Sequence, residues 1–142
     1  PILVATRFEN KIDLERENKA ANFLCKIFGF NCKKLGINDI DFAVYDGDRF
    51  VFFLEVKGRI KTINEAYPLP LAVRKLTKLQ DTKKQSVILW ACKDGIIFSR
   101  TEKLNGNIRI GGRKPRLGSA NDIEFMAYFD KRDNIKELKY EL

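Results

Sequence analysis

The sequence predicts an α/β fold built on a mixed central sheet. Three observations carry the prediction. Residues 10–28 repeat apolar positions with a helical period, residues 40–57 form an apolar hairpin, and residues 86–92 form an unbroken apolar run. With a second helical stretch before that run, the order is helix, strands, helix, strand, which is α/β alternation.

The first helix is expected from about Asn10 to Phe28. Glu17, Ala20, Ala21, Leu24, Ile27 and Phe28 fall on one stripe, and Gly29 ends it. Glu17 is the anomaly, a carboxylate in the apolar stripe. It reads equally as a stripe-end residue reaching solvent or a lysine, or as an acid aimed inward at a site. Asn31 to Leu35 fits a short strand or a loop. The hairpin follows, with Asp46-Gly47-Asp48 as its turn. Residues 60–70 read as loop, with Pro68 and Pro70 fixing extended backbone. From Leu69 to Lys84 the apolar residues Leu69, Ala72, Val73, Leu76 and Leu79 fit a second helix. Its outer face would carry Arg74, Lys75 and Lys78, either as a solvated face or against an external anion. Ser86 to Cys92 reads as a strand buried on both faces, and Asp94-Gly95 turns into another at Ile96 to Phe98. Asn107 to Ile110 and Ile123 to Phe129 alternate well enough for short strands, although residues 119–122 equally suit a helix cap. Between them, Arg113, Lys114 and Arg116 stand among glycines. That stretch suits tracking phosphates, or is a bland basic surface loop.

The hairpin holds the chemistry. Asp41 opens its first strand, and Glu55-Val56-Lys57 closes its second, in otherwise apolar surroundings. Unpartnered charge in such a place costs several kcal/mol, so it is normally paired or bound to metal. Side chains alternate faces along a strand, so Asp41, Glu55 and Lys57 share a face only if the connection has an odd residue count. A three-residue loop, with Gly47 left-handed or bulged, would set Asp41 opposite Glu55. A two-residue loop would put them on opposite faces. Phe42, Val44, Phe50, Phe52, Leu54 and Val56 would then fill the other face against helices.

Composition excludes much else. The chain has 142 residues, one domain's length, and is 44% apolar and 32% charged, which is globular composition. No apolar run approaches the roughly 20 residues of a membrane span, and no leader pattern is visible, so an intracellular, cytoplasmic protein is expected. Twenty-seven Lys and Arg against 19 Asp and Glu give a charge of +8, which attracts polyanions. Histidine is absent, which removes Ser-His-Asp and Cys-His catalysis and His-ligated zinc. Cys25, Cys32 and Cys92 lack a CxxC spacing and read as bystander thiols.

Glu17, with Ala20, Leu24, Gly29 and Phe30 behind it, then Asp41, then Glu55-Val56-Lys57, resembles the PD-(D/E)XK nuclease superfamily. Restriction endonucleases, archaeal-type Holliday junction resolvases, phage exonucleases and some homing enzymes belong to it. The resemblance spans Glu17 to Cys92 and implies a restriction-endonuclease-like αβββαβ core, about 10–100, of a single domain; the basic C-terminal loop and strand extension, about 101–142, lies outside the resemblance. Ile40 stands where the family has proline, and Asp39 is a rival to Asp41. By the resemblance, Asp41, Glu55, the backbone carbonyl of Val56 and Glu17 would hold Mg²⁺ or Mn²⁺, and Lys57 would serve the attacking water or the phosphate. Arg59, Lys61, Arg74, Lys75, Lys78, Arg113, Lys114 and Arg116 are the candidate DNA contacts. DNA, duplex or branched, is the expected partner, with a homodimer or homotetramer needed to cut both strands. A phage or mobile-element origin would fit. Two other readings are a non-cleaving DNA-binding module on the same fold, and a basic protein whose carboxylates merely pair with Lys57 and Arg59.

Overall fold

The computed structural model describes residues 2–36, 40–111 and 124–141, and side chains from residue 11 onward. The elements run α1 (Ile2–Phe28), β1 (Asn31–Lys34), β2 (Phe42–Asp46), β3 (Arg49–Gly58), β4 (Leu69–Ala72), α2 (Val73–Gln80), β5 (Ser86–Ala91), β6 (Gly95–Arg100), β7 (Asn107–Gly111), β8 (Glu124–Phe129) and β9 (Lys136–Lys139). The main sheet has the order β1-β2-β3-β5-β6-β9, and a smaller one the order β4-β8-β7. Among the described residues, only β3 and β5 pair in parallel, which makes the main sheet mixed. This is the α/β, restriction-endonuclease-like arrangement that the sequence predicted. Among the described residues, no helix is long and apolar enough to cross a membrane.

Each face of the main sheet is covered by a different layer. On one side Ala20, Ala21, Leu24 and Cys25 of α1 pack on Phe42, Val44, Phe52, Leu54, Val56, Val87 and Leu89. On the other, Leu69, Leu71, Ala127 and Phe129 of the small sheet pack on Ile88, Trp90 and Ile97. Alternate residues of β5 therefore enter two different cores. An unbroken apolar run is the pattern that such a strand requires.

The hairpin reaches its register by a different route from the expected one. Its turn has two residues, Gly47 and Asp48, with Gly47 at φ 60° in the left-handed region that glycine adopts freely. Alone, that turn would put Asp41 and Glu55 on opposite faces. A bulge restores the parity: Tyr45 faces Phe50 but Val44 faces Phe52, which leaves Val51 as the extra residue. Phe42 then pairs with Leu54, so Asp41 abuts Glu55. The bulge also moves Phe50 out of the α1 core and lets Val51 pack against it.

Other expectations are corrected. The helix expected from Leu69 is a strand as far as Ala72, because Leu69 and Leu71 point to the core and pair with β8. Leu69 and Ala72 satisfy a helical spacing as well as Leu69 and Leu71 satisfy an extended one. Pro70 sits on the edge strand of its sheet, where its missing donor is tolerated, and its carbonyl accepts the Trp90 indole N–H at 2.9 Å. α1 begins at Ile2 rather than Asn10, and Ile27 and Phe28 are half-exposed rather than core. Residues 107–111 and 124–129 are strands as expected. β9 was not foreseen, since Lys-Glu-Leu-Lys carries no alternation to betray an edge strand. Asp39, Arg113, Lys114 and Arg116 lie outside the described residues.

Candidate active site

Asp41 immediately precedes β2, and Glu55-Val56-Lys57 lies near the carboxyl end of β3. The bulged register brings the two carboxylates into one lock. The Asp41 N–H donates to Glu55 Oε1 at 3.2 Å, and the Val56 N–H donates to Asp41 Oδ2 at 2.8 Å. Glu55 is only 7% exposed, so these bonds do more than decorate a surface. Its other oxygen, Oε2, takes the ammonium of Lys75 at 3.2 Å.

A cavity of about 490 Å³ opens where the parallel strands β3 and β5 end. The carboxyl ends of parallel strands are the usual ligand position in α/β sheets. Val56, Lys57, Gly58 and Arg59 line it from β3 and beyond, Ala91, Cys92 and Lys93 from the end of β5, and Lys75 from α2. α1 contributes Asp13, Arg16, Glu17 and Lys19. Glu17 is the turn before Ala20 and Ala21, which are fully buried against the sheet, so its side chain is delivered to the cavity edge.

Electrostatics mark Glu17 apart from an ordinary surface acid. Burial, then the negative charge of Asp41 and then that of Asp13, push its carboxyl from 4.5 up to about 7; Lys34 and Lys75 oppose the shift. Carboxylates that repel one another in a partly dry cleft are stabilised by a cation between them. The donor set, carboxylate oxygens with a nearby backbone carbonyl, suits a hard divalent ion. In the geometry described, Lys75 supplies that positive charge beside Glu55. No group of three Asp, Glu, Cys or His side chains stands in a ligating arrangement among the described residues.

A family model described as phage putative PDDEXK endonuclease matches residues 4–136. The chain belongs to this family. The match continues beyond Glu17–Cys92 through β7 and β8 to residue 136, so the C-terminal extension as far as that residue is part of the family's shared pattern. No curated protein and no solved structure matches the chain.

The cations of this PDDEXK chain divide by surroundings. Lys57 lines the cavity. Arg59 also lines it, yet its guanidinium donates to the carbonyls of Ala66 at 2.8 and 3.0 Å and Pro68 at 3.4 Å, tying down the loop before β4. Lys61 and Lys78 are exposed. Arg74 is exposed and bridges to Glu124 at 2.8 Å. Lys75 turns inward to Glu55, although its neighbours on α2 suggested an outer face. The signal for this was its place four residues before Leu79, the buried residue of α2, which sets both on one side of the helix. Asp13, Arg16, Lys19 and Lys93 are cavity residues that the sequence pattern did not single out.

Proposed function

We propose that this chain is a divalent-metal-dependent endodeoxyribonuclease that hydrolyses phosphodiester bonds at Asp41, Glu55 and Lys57. The observation that carries the proposal is the Asp41–Glu55 lock, whose bonded partners Val56 and Lys75 line a basic cavity with Glu17 and Lys57, in a chain of the PDDEXK endonuclease family. Asp41, Glu55 and the carbonyl of Val56, with Glu17, would hold Mg²⁺ or Mn²⁺. Such an ion supplies Lewis acidity and makes water more acidic.

The chain's own residues do the rest. The Val56 N–H fixes one oxygen of Asp41, so the carboxylate is oriented before substrate arrives. Lys57 orients the attacking water and neutralises charge that builds on the phosphate oxygens as the P–O bond to the leaving group breaks. Arg16, Lys19 and Lys93 line the same cavity and attract the phosphate backbone. A symmetric pair of chains would present two such sites to the two strands of duplex DNA.

The Lys75–Glu55 ion pair favours a second reading, in which the buried carboxylates serve only structure on a DNA-binding module that does not cut. Cleavage of supercoiled plasmid, linear duplex, four-way junction and single strand with Mg²⁺, Mn²⁺ or EDTA separates the two. Metal-dependent cutting that disappears in Lys57→Ala, with DNA binding retained, is the expected result. Equal cutting by Lys57→Ala would remove the assigned site. Binding without cutting on every substrate would leave the non-cleaving reading.

A further inference from the structure

The apolar inner face of the small sheet continues past the core. On β8, Ala127 and Phe129 are buried against Leu69, Leu71, Ile88 and Trp90. Strand alternation puts Phe125 on the same face, and Ile108 and Ile110 of β7 join it opposite Ala127 and Phe125. These three are 62%, 63% and 69% exposed. Single exposed apolar residues are ordinary, but three in adjoining positions on one face make a patch that asks for a partner.

The strand that carries Phe125 is tied to α2, the helix that sends Lys75 into the cleft. Glu124, the residue before Phe125, is bridged to Arg74 at 2.8 Å, and the following residue, Lys75, reaches Glu55 at 3.2 Å. The exposed end of the β7–β8 pair thus stands beside α2, one residue along from the side chain that enters the active site. On the opposite face of the same pair, the Arg109 guanidinium lies 4.1 Å from the Tyr128 ring centre, a preset cation on an aromatic plate.

We propose that Ile108, Ile110 and Phe125 form a wedge that enters a groove of duplex DNA and separates stacked base pairs beside the cleavage site. The proposal rests on the nuclease reading and adds how the duplex is held and distorted. Size argues for this occupant over a second copy of the chain. Three side chains at this exposure offer roughly 300 Å² on the scale of what aromatic residues bury, well under the about 800 Å² per partner of a stable dimer. Charge argues the same way. The chain carries +8, and Arg16, Lys19, Lys57 and Lys93 line the cleft. Apolar wedges accompanied by cations are how proteins unstack and kink a duplex.

The test uses the full chain in EDTA, so that no strand is cut, and a kilobase duplex carrying 2-aminopurine throughout. Wild type should raise the fluorescence on binding, because unstacked 2-aminopurine brightens. The triple variant Ile108→Thr, Ile110→Thr, Phe125→Thr keeps β-branched or β-compatible side chains and should lose the rise. Its affinity should fall about tenfold or more, while the slope of log K against log salt stays as in wild type, since no phosphate contact is removed. Its unfolding temperature should match wild type; were it to unfold, Phe125→Thr alone provides the same comparison. A variant with the wild-type rise and affinity would overturn the wedge. So would a wild-type dimer that the variant converts to monomer with its DNA response unchanged, which would assign the patch to a second copy. Wild type that binds and, with Mn²⁺, cuts without brightening the probe would overturn the wedge alone. Wild type that binds no DNA at low salt would overturn the wedge and the nuclease reading together.

Discussion

Replacing Lys75 with methionine keeps the aliphatic stem of the side chain and removes the ammonium 3.2 Å from Glu55 Oε2. Glu55 would then sit 7% exposed with a single backbone donor, the Asp41 N–H at 3.2 Å, on its other oxygen. Breaking a fully buried ion pair by removing one partner costs about 3–5 kcal/mol. The Lys75 side chain is 43% exposed, so water reaches its end of the pair and replaces part of what is lost. A loss of roughly 1–2 kcal/mol follows from that screening. At about 4 °C per kcal/mol for a chain of this size, the unfolding temperature in EDTA should drop by about 4–8 °C. Glu55→Gln with Lys75→Met should recover much of this, because the double change removes both charges. Under the proposed function, Mn²⁺ should then stabilise Lys75→Met more than wild type, as the cation takes the place of the ammonium. Differential scanning fluorimetry with and without Mn²⁺ measures both effects. A Lys75→Met protein that melts within about 1 °C of wild type in EDTA would refute the reasoning, because Glu55 would not depend on Lys75.

Glu17→Gln should alter the pH dependence of stability in EDTA. Burial raises the folded-state carboxyl of Glu17 to about 7, so between pH 4.5 and 7 the folded chain holds a proton that the unfolded chain has released. The wild type therefore loses stability as pH rises through that window, and glutamine does not. A shift of this size is worth about 3 kcal/mol at full burial. Glu17 is only half-buried, so the variant should gain roughly 1–2 kcal/mol above pH 7 and nothing at pH 4, as read by urea unfolding. An advantage of the variant that was constant across pH would contradict this. Deleting Val51 should give an unbulged hairpin in which Val44 still faces Phe52 and Asp41 still meets Glu55, so the chain should still unfold cooperatively in urea, with a loss of about 1–3 kcal/mol from the missing side chain and the changed twist. Val51→Ala keeps the extra residue and should cost only about 1 kcal/mol by the same measurement.

Much of the site was legible because its parts are close in sequence and obey strand parity. Asp41, Glu55 and Lys57 lie on one hairpin, and Glu17 interrupts an apolar helical stripe. The expected device was wrong where its outcome was right: a two-residue turn with a bulge at Val51 does what a three-residue loop would have done. No residue type announces a bulge, since Val51 resembles its neighbours Phe50 and Phe52. Leu69–Ala72 misled because leucines spaced for a strand edge also fit a helix, and the pairing with β8 lies more than 50 residues away.

By itself the sequence determined the α/β class, the two-sided burial of β5, the family resemblance and the charges available to a site. Local period and composition encode these, because each depends on which faces of one element are apolar. Tertiary structure decided that Glu55 is the partner of Lys75, that Arg59 clamps the Ala66 and Pro68 carbonyls, and that Ile108, Ile110 and Phe125 overhang the core. Those outcomes depend on which distant element lies across the gap. A side chain's charge is fixed by its residue type, but its partner is fixed only when the sheet, helix and hairpin have packed.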